Sequence, residues 1–414
     1  MSVLHVTNAP ERLNGTIHLP SSKSISNRIL IIEALAGTSF GIQNISVAED
    51  TIILKRLLSS SNHLLNAGNA GTAMRFLTAY CSLIKDDIII TGDDRMQKRP
   101  IAPLVGALRS MGAEIDYIGV EGFPPLHIRG GSLKGGAISI RSDISSQYIS
   151  ALLMIAPLLQ NGLTLKLKGS ISSEPYIKMT LSLMRYFGIE AEIRNDIITI
   201  KPQKYQIKEI TIEADWSSAS YWIGLACLLP GSSLRIPGLQ KHSIQGDKVF
   251  LEIAERFFGV KSNFDEYGLV IESGESTRQS IEIDLIGHPD LIPTLVTLCC
   301  LAQAPFNITG TKNLTHKESD RAASLQRELI KLGYLIFIDQ NSIHWNGVIS
   351  DVFYDNLYLN TYADHRLAMC WAMLTVRHPN IYIESPEVVM KSYPSFWDEF
   401  QNAGFEFEYL SASV

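Results

Sequence analysis

Residues 22–37 read SKSISNRILIIEALAG. A polar cluster able to cap a helix is followed at once by a run that is almost wholly apolar or small. The pattern returns as NAGTAMRFLTAYCSL from Asn69, SSQYISALLMIAPLL from Ser145, SSASYWIGLACLL from Ser217, PDLIPTLVTLCCLA from Pro289 and ADHRLAMCWAMLTV from Ala363. A helix that is apolar all round has to be buried, so each copy reads as a core helix. Each is followed by an amphipathic segment and a short strand-like tail. Examples run from Arg99, Glu174, Ile244, Lys317 and Tyr393, and each has a glycine near its end to stop the helix. From the second copy onward the core helices start roughly 70 to 75 residues apart, but the first two only about 45 apart. The first unit is therefore shortened. It keeps the amphipathic EDTIILKRLLSS from Glu49 and runs almost directly into NAGTAMR without the glycine stop and the strands that should follow. Three units per half give an α/β protein of two similar domains, each of three βαβαββ-like units with buried parallel helices.

Bulk properties agree with two cores. A chain of 414 residues exceeds what one hydrophobic core usually organises. The net charge of −6 disfavours general affinity for nucleic acid or an acidic membrane surface, which needs a basic face. Cys81, Cys227, Cys299, Cys300 and Cys370 sit in apolar runs without metal or redox spacing, as buried thiols in a reducing cytoplasm would. MSVLHVTNAPERLNG does not read as a secretory signal, and the longest apolar runs fall short of the roughly 20 residues that span a bilayer. A cytoplasmic protein with no membrane partner is expected.

The helix starts and adjoining loops carry cations in apolar surroundings: Lys23, Arg28, Arg75, Arg99, Lys317, Arg321, Arg366 and Lys391. Helix N-termini attract anions through unpaired N–H groups, and arginine grips carboxylate or phosphate through two parallel hydrogen bonds. For one cluster, a helix cap beside a solvated charge is the simpler reading. Caps do not call for Lys or Arg in the first turn of a buried helix, however, because the helix dipole repels them. Six such clusters imply a ligand with several anionic groups. Asp290 and Glu318 lie among the cations as candidate proton carriers. His365 has no companion at metal-ligand spacing, and no phosphate-binding glycine loop of the nucleotide-binding kinds is present, so neither metal nor cofactor is expected.

Over nearly its whole length the chain resembles the 5-enolpyruvylshikimate-3-phosphate synthase family. The resemblance is carried by LPSSKSISNR, NAGTAMR, RMQKRP, SSQY, SSEPY, HSIQGD, NLTHKESDR, ADHRLAM and KSYPSF, in the family's order. It implies an inside-out α/β fold in which residues 21–213 form one lobe and residues 1–20 with 214–414 the other, crossing near Pro20 and Asp215, with the active site in the cleft between them. The implied substrates are phosphoenolpyruvate and shikimate 3-phosphate, in the pathway to chorismate and the aromatic amino acids, and the implied oligomeric state is a monomer. Shikimate 3-phosphate would be held by Lys23, Ser24, Arg28, Ser145, Ser146, Gln147, Ser173, Tyr176, Asp290, Asn313 and Lys317. Phosphoenolpyruvate would be held by Lys23, Gly71, Arg99, Gln147, Arg321, Arg366 and Lys391. Thr72 and Arg75 fall in the same segment as Gly71.

By the same resemblance Asp290 takes the acceptor's hydroxyl proton, Glu318 delivers and later removes the carbon proton, and Lys23 assists transfer. Ser21 and Phe76 stand where the family pattern has glycine and proline. Two alternatives remain. One is the sister enzyme that places enolpyruvate on UDP-N-acetylglucosamine, disfavoured because TGDDRMQKRP lacks its loop cysteine. The other is a non-catalytic anion-binding homologue, disfavoured by the retention of both proton carriers.

Overall fold

All six apolar segments form helices: Lys23–Ala36, Gly71–Cys81, Ser146–Ile155, Trp216–Leu228, Ile292–Leu301 and His365–Leu374. The structure is a computed structural model and describes residues 2–84, 86–131, 133–275, 279–352, 354 and 356–411. Every residue of Ile292–Leu301 and of His365–Leu374 is buried, as an all-round apolar helix requires. The polar residues before the runs act as caps. Ser22, Ser145, Asp215 and Asp364 each accept a first-turn backbone N–H through the side chain. The amphipathic segments form the helices Glu49–Leu58, Ala102–Ser110, Glu174–Tyr186, Val249–Phe258, Arg321–Ile330 and Phe396–Asn402. Gly259 shows why a glycine ends one of them. At φ 70° it takes the left-handed conformation that closes the last turn, its N–H donating to the Ala254 carbonyl.

The chain divides into two compact units, Ser21–Ile212, and Met1–Pro20 with Glu213–Val414. In the first, the helices Lys23–Ala36, Gly71–Cys81 and Ser146–Ile155 pack on one another. In the second, Trp216–Leu228, Ile292–Leu301 and His365–Leu374 do the same. The Trp222 indole N–H donates to the Tyr393 hydroxyl at 3.2 Å, and that hydroxyl donates to the His18 carbonyl at 2.9 Å. These bonds satisfy the polar ends of two large side chains, each of whose burial contributes about 2 to 3 kcal/mol. They also bind the N-terminal segment into the second unit's core.

Among the described residues, five four-stranded sheets share one topology. Leu64–Asn66, Asp87–Thr91, Leu126–Arg129 and Glu114–Tyr117 illustrate it: the first pair is parallel and the next two pairings are antiparallel. A core helix makes the parallel crossover, an amphipathic helix follows, and a hairpin completes the sheet. The N-terminal residues finish two sheets of the second unit. Asn14–Thr16 runs parallel to Ser233–Pro237, and Ser2–Asn8 lies between Ile381–Glu384 and Glu406–Ser411. The shortened unit retains only a parallel pair, Ile42–Gln43 with Ile210–Thr211. Its amphipathic helix is intact, so the missing part is the antiparallel hairpin.

Candidate active site

In the second unit, short connections before three helices bring six charged side chains together. Asp290 lies on the turn leading into Ile292–Leu301, Lys317 and Glu318 follow the short turn Lys312–His316, and Arg321 opens the helix Arg321–Ile330. Asp364 caps His365–Leu374 and Arg366 lies in its first turn. The Asp290 carboxylate accepts from Lys317 Nζ at 3.1 Å and Arg321 Nη1 at 2.9 Å through Oδ1, and from Arg366 Nη2 at 2.8 Å through Oδ2. Arg321, almost wholly buried, also donates to Glu318 Oε2 at 2.8 Å and through Nε to Asp364 Oδ2 at 2.7 Å. Burial of Asp290 favours its neutral form. The guanidinium of Arg366, the ammonium of Lys317 and the guanidinium of Arg321 outweigh that and hold its carboxyl well below the usual carboxylate range. Lys391 is buried at the end of the turn Pro386–Lys391, and Asn313 lies on Lys312–His316.

In the first unit, Lys23 opens its helix and donates to Asp50 Oδ2 at 3.0 Å. Asp50 is buried on Glu49–Leu58, so the shortened unit keeps the helix that holds Lys23. Gln147, in the first turn of Ser146–Ile155, donates to Thr72 Oγ1 at 3.2 Å. Ser145 caps that helix, and Ser173, at φ 57°, introduces the helix carrying Tyr176. Arg28 is tied into the protein: Nε donates to Thr180 Oγ1 at 2.7 Å, Nη1 to the Ser24 carbonyl at 2.8 Å, and Nη2 to Ser150 Oγ at 3.2 Å and the Tyr176 carbonyl at 3.3 Å. Its guanidinium also lies 5.5 Å from the Phe76 ring centroid. Burial pulls Arg28 down to about 10, which leaves it charged at neutral pH. One Nη1 hydrogen remains beyond these four bonds.

Arg99 differs from Arg28. It is buried, with Nε and Nη1 finding no hydrogen-bond acceptor, and it packs on Gly71 at the start of Gly71–Cys81. Unsatisfied guanidinium donors beside a helix N-terminus suit an anion. A Cβ on Gly71 would lie 2.7 Å from Arg99 Nη1, so glycine here makes room for the arginine itself. Gly71→Ala should displace that guanidinium. The expected outcome is a rise of about tenfold in KM for an anion bound there, about 1.4 kcal/mol, with the melting temperature little changed. Arg75 pins the neighbouring loop, donating to the Gly71 carbonyl at 3.3 Å, Met96 Sδ at 2.9 Å and the Pro100 carbonyl at 3.1 Å.

Asp50 and Asp364 escaped the sequence reading as functional partners. Asp364 lies in the polar cluster that opens ADHRLAMCWAMLTV, and capping is half its role, since its Oδ1 accepts the Arg366 N–H while Oδ2 holds Arg321. All five cysteines are free thiols, and burial pushes Cys81 and Cys370 up to about 12 and the other three up as well. None is an activated nucleophile.

The fold is that of a solved EPSP synthase from Acinetobacter baumannii, with a TM-score of 0.79 over 99% of this chain and all of that one at 22% identity. A second solved structure of that organism's EPSP synthase gives 0.77 over the same shares. These likenesses, with the five repeated sheets, define a two-domain α/β protein of the inside-out type. The family model described as EPSP synthase (3-phosphoshikimate 1-carboxyvinyltransferase) matches residues 7–60 and 52–400. The two matches overlap at residues 52–60, across the end of the helix Glu49–Leu58 after which the hairpin is missing. A 3-phosphoshikimate 1-carboxyvinyltransferase of Bacteroides fragilis is 43% identical over 97% of this chain and 98% of its own length. One of Shewanella halifaxensis is 35% identical over 94% and 97%. The chain belongs to the EPSP synthase family.

Proposed function

We propose that this protein transfers the enolpyruvyl group of phosphoenolpyruvate to the 5-hydroxyl of shikimate 3-phosphate, giving 5-enolpyruvylshikimate 3-phosphate and inorganic phosphate. The observation that carries the reading is the Asp290 carboxylate held by Lys317, Arg321 and Arg366, with Glu318 on the same arginine. Two acids on one cationic frame suit a reaction that moves two protons on polyanionic substrates.

The acceptor's 5-oxygen bonds to C2 of phosphoenolpyruvate and loses its proton to Asp290 while C3 gains one from Glu318. The resulting tetrahedral intermediate gives up one of the three C3 hydrogens as a proton to Glu318 and breaks its C2–O bond to phosphate, with Lys23 balancing charge. Phosphoenolpyruvate is held by Arg99, Arg321, Arg366 and Lys391, and Gly71 gives Arg99 its room. Ser24, Arg28, Ser145, Ser146, Gln147, Ser173, Tyr176, Asn313 and Lys317 hold shikimate 3-phosphate. Asp290 is a poor base while three cations sit on it, and substrate oxyanions that draw Lys317, Arg321 and Arg366 toward themselves raise its basicity. The substrate thus switches on its own base.

The reading includes a monomer working in the cytoplasm. Mixing the protein with both substrates should release phosphate, whereas UDP-N-acetylglucosamine as acceptor should release none. Glu318→Gln should lower kcat by about a hundredfold or more with dissociation constants little changed. Phosphate release only with the nucleotide sugar would mark the sister enzyme, and release with neither a binding homologue.

A further inference from the structure

The segment HSIQGD, residues 242–247, has no part in the chemistry above, yet its alternate side chains make a run of contacts. Ser243 Oγ donates to Glu213 Oε1 at 2.5 Å. Gln245 Nε2 donates to the Ala214 carbonyl at 2.8 Å and its Oε1 accepts the Trp216 N–H at 3.2 Å. Asp247 Oδ2 accepts from Ser217 Oγ at 2.5 Å. Residues 243, 245 and 247 therefore hold 213 to 217 in step. They fix the stretch in which the chain enters the second unit and begins the helix Trp216–Leu228.

Asp247 reaches further. Its Oδ1 lies 3.7 Å from His288 Nδ1, within ion-pairing range when the ring is protonated, and the Asp247 carboxylate is buried. The His288 N–H donates to the Leu285 carbonyl at 2.8 Å and its carbonyl accepts the Leu291 N–H at 3.0 Å. His288 thus anchors the turn 288–291, and Asp290 is the third residue of that turn. The three cations on Asp290 set its charge, but they do not fix the backbone from which it projects.

We propose that Asp247 is a positioning residue for Asp290. It ties the turn 288–291, through His288, to the first turn of Trp216–Leu228, and so aims the Asp290 carboxylate at the acceptor's hydroxyl. This rests on the role given to Asp290 above. A reacting group misplaced by about 1 Å can cost about a hundredfold in rate, whereas a group outside the site that only stabilised the fold would leave kcat of the folded enzyme unchanged.

The test is a double-mutant cycle at saturating substrates. Asp247→Ala should lower kcat by about tenfold or more, with KM for phosphoenolpyruvate within about twofold of the parent. In an Asp290→Asn background the same change should cost almost nothing further, because the group it aims has gone. Asp247→Asn keeps a hydrogen bond to Ser217 and loses the charge facing His288, and it should fall between parent and Asp247→Ala. Full kcat in Asp247→Ala, or an equal loss in both backgrounds, overturns the proposal. Full activity of Asp290→Asn alone overturns instead the role of Asp290, so the two failures are distinguishable.

Discussion

Asp290→Asn is expected to lower kcat by about three orders of magnitude, within the range that positioned proton transfer contributes, while the affinity for inorganic phosphate rises. The second effect separates this substitution from simple damage. Lys317, Arg321 and Arg366 all donate to Asp290, and asparagine removes the negative charge they share, leaving a more positive frame for an incoming anion. Isothermal titration with inorganic phosphate would measure it.

Stability should respond as well. The folded-state pKa of Asp290 lies below its ordinary value, so its contribution to stability is complete above about pH 4 and is lost as pH falls toward the depressed value. Urea unfolding should therefore show parent and variant farthest apart at neutral pH and converging as pH drops below about 4.

Arg321→Met is expected to destabilise the protein by about 3 to 5 kcal/mol, the cost of removing one partner from a buried charge pair. Arg321 is the arginine on which Asp290, Glu318 and Asp364 converge, and Asp364 is fully buried. Without Arg321 its charge has to be neutralised or solvated. Adding Asp364→Asn should accordingly recover part of the loss, and the two effects should not add. A loss that Asp364→Asn leaves wholly unrelieved would contradict the electrostatic explanation.

The helices were legible because their signals are local. An apolar run such as Ile292–Leu301, preceded by Pro289 and Asp290, states its own burial, and a 3.6-residue period with a closing glycine states the amphipathic partner. The shortfall after Glu49 was legible for the same reason, as a break in the repeat. The sheets were not. Ser2–Asn8 pairs with strands near residues 383 and 408, and nothing within a seven-residue strand names so distant a neighbour.

At the site, the cations were visible as charges out of place in apolar segments, but their pairing was not. That Lys23 meets Asp50 depends on how two helices pack, and that Asp364 serves a helix and an arginine together depends on a neighbouring loop. The contrast between Arg28 and Arg99 is likewise through-space. One spends its donors on Thr180, Ser24, Ser150 and Tyr176, whereas the other keeps Nε and Nη1 unsatisfied beside Gly71.

The most direct test of proton delivery by Glu318 is to run the reaction in deuterium oxide and examine the methylene carbon of the enolpyruvyl product. Addition turns that carbon into a methyl group carrying one solvent-derived hydrogen, and elimination removes one of the three. The account predicts deuterium in the product's methylene group, with both turnover and incorporation suppressed in Glu318→Gln. Product formed at full rate with no deuterium at that carbon would contradict it.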